Sequence, residues 1–377
     1  MNIVLFYHSL ISDWNHGNAH FLRGVTSELI ARGHQLSVYE PVDGWSLQNL
    51  LEGYGDRARL AFRRAYPQLK STFYRPDRLD LDRALDAADL VIVHEWNDHD
   101  LVARIGEYRR RSRDFRLLFH DTHHRSVSEP SQMQDYDLRD YDGVLAFGKL
   151  IRDIYLERGW AEHAWTWHEA ADVRKFRPAH EPAEQRDVVW IGNWGDGERT
   201  EELHSYLLSP VEELGLDATV HGVRYPDEAI HSLRRANIDY QGWLPNFRVP
   251  EAFARHRLTV HVPRQFYVTS LPGIPTIRPF EAMACGIPLV CSPWEDTEGL
   301  FRRGTDYLMA REPREMKRHI YDLMHDDDMA EELAANARER IMDQHTCGHR
   351  VNELIGICSQ LGVAADGCGR VGRRRRV

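Results

Sequence analysis

Two series of short apolar runs, separated by amphipathic stretches, organise this chain. In the first, residues 3–7, 35–39, 90–93, 116–119 and 143–147 read as strands. Residues 17–31, 101–113 and 149–158 carry helical spacing between them, 80–88 leads into the third strand, and an Arg-rich helical insertion spans 47–66. In the second series, 188–191, 218–221, 239–241, 258–262 and 289–291 read as strands. The helices there are 198–208, 225–235, 249–255, 313–324 and 329–344. Strands that alternate with helices imply parallel sheets covered on both faces.

The polar, Pro-containing stretch 177–187 interrupts the alternation. It divides the chain into a first domain, 1–178, and a second, 187–361, whose last helices can cross back to the first. Residues 362–377 are small and basic and read as a solvated, disordered tail. The expected fold is α/β: two Rossmann-like, doubly wound parallel-sheet domains facing a central cleft. In such sheets ligands bind beyond the carboxyl ends of the strands. The loops that follow strands therefore hold the candidate chemistry.

Composition narrows the function. At 42% hydrophobic residues, the 377-residue chain can bury a large core, which excludes a disordered protein. A net charge of −10 gives no support for nucleic-acid binding. Cys285, Cys291, Cys347, Cys358 and Cys368 lack zinc or redox spacing, which points to a reducing, cytoplasmic compartment. The apolar N-terminal run soon meets Asp13 and His16, unlike a signal peptide, and no 18-residue apolar run exists to span a membrane.

The segment 271–290 is the most informative. Pro279 suits a first helical turn, Gly286 the residue past a helix end, and Glu281 is expected near the free N–H groups of that first turn. A carboxylate beside an anion-binding helix start suits a ligand with hydroxyls at one end and phosphates at the other, as in a nucleotide sugar. Arg278 precedes this helix, Arg264 follows the strand 258–262, and Arg199 belongs to a Gly-rich loop with Gly192 and Asn193. These arginines can neutralise a diphosphate without a metal. Trp243 and Leu244 are candidates for the wall of a base pocket.

In the first half, Gly17 and Asn18 open a helix, either as a floor for an anion or with Asn18 as a plain cap. His94, Glu95, His120 and Asp121 follow strands and are expected to face the cleft. His120 would bond a sugar hydroxyl or stabilise developing charge, and Asp121 would orient it or act as base. Adjacent His123 and His124 would point to opposite sides of an extended segment, which argues against a metal cluster. The loop after the first strand carries no GxGxxG or P-loop pattern, and no convincing Asp-x-Asp metal motif follows a strand, so neither a nicotinamide nor a metal is expected.

Arg278-Pro-Phe-Glu-Ala-Met-Ala-Cys-Gly-Ile-Pro-Leu-Val290 resembles the donor segment of GT-B glycosyltransferases near family 4. With residues 16–20, 120–123, 188–195 and 299–301, the chain looks like the spore-maturation (CgeB-like) branch. The resemblance implies metal-independent transfer from a nucleotide-diphosphate sugar to an unspecified acceptor. It would have Glu281 bind the ribose, Thr276 and Ile277 meet the diphosphate through backbone amides, and His120 lie near the donor sugar. The family's second acid falls at Gly273, so retention of configuration is not implied. A nucleotide-sugar epimerase or a non-catalytic nucleotide-sugar binding protein would share the architecture.

Overall fold

A computed structural model describes residues 1–112, 114–179 and 185–363. The tail, beyond Val363, lies outside these residues, as does Cys368. The first sheet contains β1 (Asn2–Phe6), β2 (Gln35–Pro41), β3 (Thr72–Tyr74), β4 (Leu90–His94), β5 (Arg116–Asp121), β6 (Gly143–Ala146) and β7 (Ala164–Thr166). Their order is β3-β2-β1-β4-β5-β6-β7, all parallel. The second contains β8 (Arg186–Ile191), β9 (Ala218–His221), β10 (Asp239–Tyr240), β11 (His256–His261), β12 (Leu289–Cys291) and β13 (Leu308–Met309). It runs β10-β9-β8-β11-β12-β13, again all parallel. Near-continuous apolar runs such as Leu90-Val-Ile-Val93 are buried on both faces, which a parallel sheet between helical layers requires.

The insertion forms two helices, Trp45–Tyr54 and Asp56–Ala65, because Gly55 between them adopts φ 63°, outside the helical region. Edge strands β3 and β7 had no signal in the sequence, since three residues are too few to show a period.

Helix Cys347–Gln360 returns to the first half and packs on helix Ala19–Ala31. Gly24 makes this approach possible: a Cβ there would lie 2.4 Å from Cys347 Sγ and 2.8 Å from Asp172 Cβ. Trp167 Nε1 donates to Arg350 O at 2.8 Å and secures the same contact. No helix among the described residues is long and apolar enough to cross a membrane.

Candidate functional site

A cleft of about 620 Å³ lies between the halves, at the carboxyl ends of both sheets. Each sheet reverses its strand order there, between β1 and β4 in the first and between β8 and β11 in the second. The first half contributes the loop after β1, with His16, Gly17 and Asn18, and the loop after β5, with Thr122, His123 and His124. The second contributes Gly192, Asn193 and Arg199 after β8, Arg264 after β11, Trp243 and Leu244 after β10, and Thr276, Ile277 and Arg278 at a helix start.

Contacts across the cleft hold the halves together. Buried Arg23 donates to Leu10 O and Ile11 O, both at 2.7 Å, and to Asp13 Oδ2 at 2.8 Å. Asp13, so placed, accepts from Trp243 Nε1 at 2.9 Å and Asn246 N at 3.0 Å in the other half. Asn193 Nδ2 donates to Asn15 Oδ1 at 2.5 Å. On another side, Glu298 accepts from Lys149 N at 2.6 Å and faces His168 Nε2 at 2.7 Å.

The cleft is cationic on the second half. Arg199 is 8% exposed and donates to Val262 O at 2.6 Å, Asn193 O at 2.8 Å and Asn193 Oδ1 at 2.9 Å. Among the described residues no carboxylate lies within ion-pair distance of it. Burial, then the neighbouring Arg264, lowers its pKa to about 10, which still leaves it charged at neutral pH. Arg264 pairs with Glu198 at 3.1 Å. Several buried cleft atoms lack a hydrogen-bond partner among the described residues: His16 Nε2, Asn18 Oδ1, His124 Nε2, Arg199 Nε and Arg278 Nε. Buried polar atoms are normally satisfied; Arg199 Nε and Arg278 Nε, on the second half, are unpartnered donors suited to an anion, whereas Asn18 Oδ1, on the first, is an unpartnered acceptor.

Several sequence expectations need correction. Helix Ile277–Cys285 begins at Ile277, so Glu281 lies in its second turn, away from the free N–H groups. Glu281 is fully buried and sits behind Asn246 and Arg278, which line the cleft in its place. Asn246 Nδ2 donates to it at 2.6 Å, Arg278 pairs with it, and His20 Nδ1 lies 3.1 Å away. Burial alone would raise the Glu281 pKa, but Arg278, His20 and Asn246 outweigh it and hold the carboxyl below its ordinary range.

His120 does not reach the cleft either. It belongs to β5, buried against Trp167 and His94, with neither ring nitrogen partnered among the described residues. Burial lowers its pKa to about 3. Asp121 is buried and accepts from Tyr155 OH at 2.9 Å and His123 N at 3.1 Å, so it staples the loop rather than facing a substrate. His94 Nε2 lies 3.1 Å from Thr122 Oγ1. Glu95 accepts from Thr122 N at 2.8 Å and pairs with Arg125, also at 2.8 Å. Both shape the loop after β5 from beneath.

Gly273 lies off the cleft. Its φ is 91°, and a Cβ would lie 2.3 Å from Thr297 Oγ1, so the local backbone has no room for an acid. The sequence reading missed Asn246 and Glu169 as cleft residues. Asn246 had no motif around it, and Glu169 follows the unrecognised strand β7.

Residues 199–356 match the family model described as glycosyl transferase-like. No curated relative matches the sequence. Among solved structures, sucrose-phosphate synthase from Thermosynechococcus elongatus is similar at 15% identity and TM-score 0.63, over 96% of this chain and 99% of that one. Anabaena Alr3699/HepE, in complex with UDP and glucose, matches at 15% identity and TM-score 0.66, over 95% and 99% of the two chains. An α-glucosyltransferase in complex with UDP and a 13-mer DNA gives 13% identity and TM-score 0.69 over the same shares. These likenesses establish the fold as GT-B.

Proposed function

We propose that this protein is a glycosyltransferase of the family 4-like, CgeB-like kind, moving a sugar from a nucleotide diphosphate to an acceptor hydroxyl in the cytoplasm. The observation that carries the reading is the convergence of Arg199, Arg264 and Arg278 on one side of the cleft, with buried Arg199 lacking a carboxylate partner among the described residues. A buried, uncompensated guanidinium is costly unless an anion joins it. The donor diphosphate would take that place, against the backbone of Thr276 and Ile277, with its base beside Trp243 and Leu244. The acceptor would enter over Gly17, Asn18 and His123.

In the transfer, the acceptor hydroxyl oxygen bonds to the anomeric carbon as the bond to the diphosphate breaks, and the hydroxyl proton passes to the leaving diphosphate or to solvent. The arginines and the helix start then stabilise the charge leaving with the diphosphate. Four cysteines, Cys285, Cys291, Cys347 and Cys358, are free and buried, which suits a reducing compartment.

A thermal-shift screen of UDP-, GDP-, ADP- and TDP-sugars tests this reading. At least one is expected to raise the melting temperature, and a flat response to all four would overturn the proposal. Arg199→Gln should weaken binding of the selected nucleotide about 10- to 100-fold in calorimetry, the value of a buried charge-assisted hydrogen bond. Affinity and turnover are expected to persist in excess EDTA. Loss restored by Mg²⁺ or Mn²⁺ would assign the diphosphate charge to a cation instead.

A further inference from the structure

Glu169 stands at the junction of the two halves, in the segment that leaves β7. It lines the cleft yet is only 5% exposed, and no cation lies within ion-pair distance among the described residues. Asn18 Nδ2 donates to its Oε1 at 2.8 Å, while Asn18 Oδ1 is buried without a partner. The loop carrying Asn18 touches the opposite half where the diphosphate would bind: a Cβ on Gly17 would lie 3.4 Å from Ile277 Cγ2. The backbone of Glu169 is fixed from behind, since Arg350 Nε donates to His168 O at 2.9 Å and to Glu169 O at 3.4 Å.

A carboxyl group held in this way, beside an orphaned amide oxygen, is an acceptor set without a ligand of its own. The carboxylates that the opposite half brings to the cleft, Asp196 and Glu198, are already paired with Arg224 and Arg264. We propose that Glu169, oriented by Asn18, is the carboxyl group that meets the hydroxyls of the donor sugar, supplied from the first half of the chain. This assignment rests on the transferase reading above.

The charged and titratable groups around Glu169 come from each neighbouring element. Arg278 and Glu281 face it from helix Ile277–Cys285, and Tyr267 from helix Gln265–Thr269. Burial, with Glu281 adding to it, raises the Glu169 pKa to about 8 against the opposing pull of Asn18 and Arg278. At neutral pH the group is therefore mostly a neutral acid, able both to donate and to accept.

Calorimetry with UDP and UDP-glucose on the full chain tests the assignment, run beside the GDP, ADP and TDP pairs. Glu169→Ala should weaken the sugar nucleotide about 10- to 100-fold and leave the free diphosphate within about twofold. Glu169→Gln guards against misfolding of the alanine variant. In the wild type the ratio Kd(UDP)/Kd(UDP-glucose) should rise between pH 7 and 9, because an ionised carboxylate accepts the stronger hydrogen bond. In Glu169→Gln it should stay flat. Equal weakening of both ligands, no weakening, or an unaltered pH profile in Glu169→Gln would each overturn the role of Glu169. Absence of binding by the wild type to every pair would instead overturn the transferase reading.

Discussion

Replacing Glu281 by alanine is expected to destabilise the native protein by about 3–5 kcal/mol, the loss typical when one partner of a buried ion pair is removed. The fully buried carboxylate is paired with Arg278, receives the Asn246 amide and lies against His20. Without it, Arg278 keeps its charge in a half-enclosed site and Asn246 Nδ2 loses its acceptor. The motif by itself suggests a simpler result, weakened nucleotide binding with the fold intact. Burial forbids that separation.

Binding then tells whether Glu281 also reads the ribose, for which Asn246 would have to move aside. A ribose role predicts that Glu281→Gln weakens UDP and leaves pyrophosphate unchanged. Equal weakening of both would show that Glu281 acts only by holding Arg278.

Acidification is expected to cost more still. Burial depresses His120 to about 3 and His8 to about 4, and lowers His16, His94 and His123 in the same direction. Unfolded, each would titrate near 6.5. Between that value and the depressed one the unfolded chain binds more protons, so stability present above 6.5 is lost as the pH falls. At pH 5 His120 and His8 each contribute a loss of about 2 kcal/mol, and His16, His94 and His123 add to it in the same direction. Buried carboxyls with raised pKa, Glu40, Asp121, Glu169 and Asp172, work in the opposite sense and offset part of it.

The melting temperature should therefore fall steeply from pH 7 to pH 5. His120→Leu should lessen the fall at little cost at neutral pH, because the ring leaves no hydrogen-bond partner behind among the described residues. A constant melting temperature over that range would show that the histidines take up protons where they stand.

The two sheets were legible because their strands are unbroken apolar runs, and the helix before Gly286 because proline and glycine bracket it. Arg199 and Arg264 could be placed for the same reason, since they lie in loops after strands whose ends were plain, and Arg278 because it sits at the start of that bracketed helix. His120 was misplaced by parity. Side chains alternate along a strand, and β5 runs on to Asp121 rather than stopping at Phe119. That small extension puts His120 beside His94 in the sheet, under Trp167 instead of in the cleft. Glu281 was misjudged for another reason. His20 and Asn246, which enclose it, come from remote segments, and no local pattern announces them.

The return of helix Cys347–Gln360 onto helix Ala19–Ala31 bears on how such a protein can be recombined. The half that holds the arginines is not a contiguous cassette, because its closing helix fits a groove opened by Gly24 in the other half. A chimera joined within residues 179–185 would carry a foreign helix into that groove, and any side chain larger than hydrogen at position 24 would bar it. Exchange of donor specificity between relatives of this shape must therefore move the last helix together with its seat, or leave both behind.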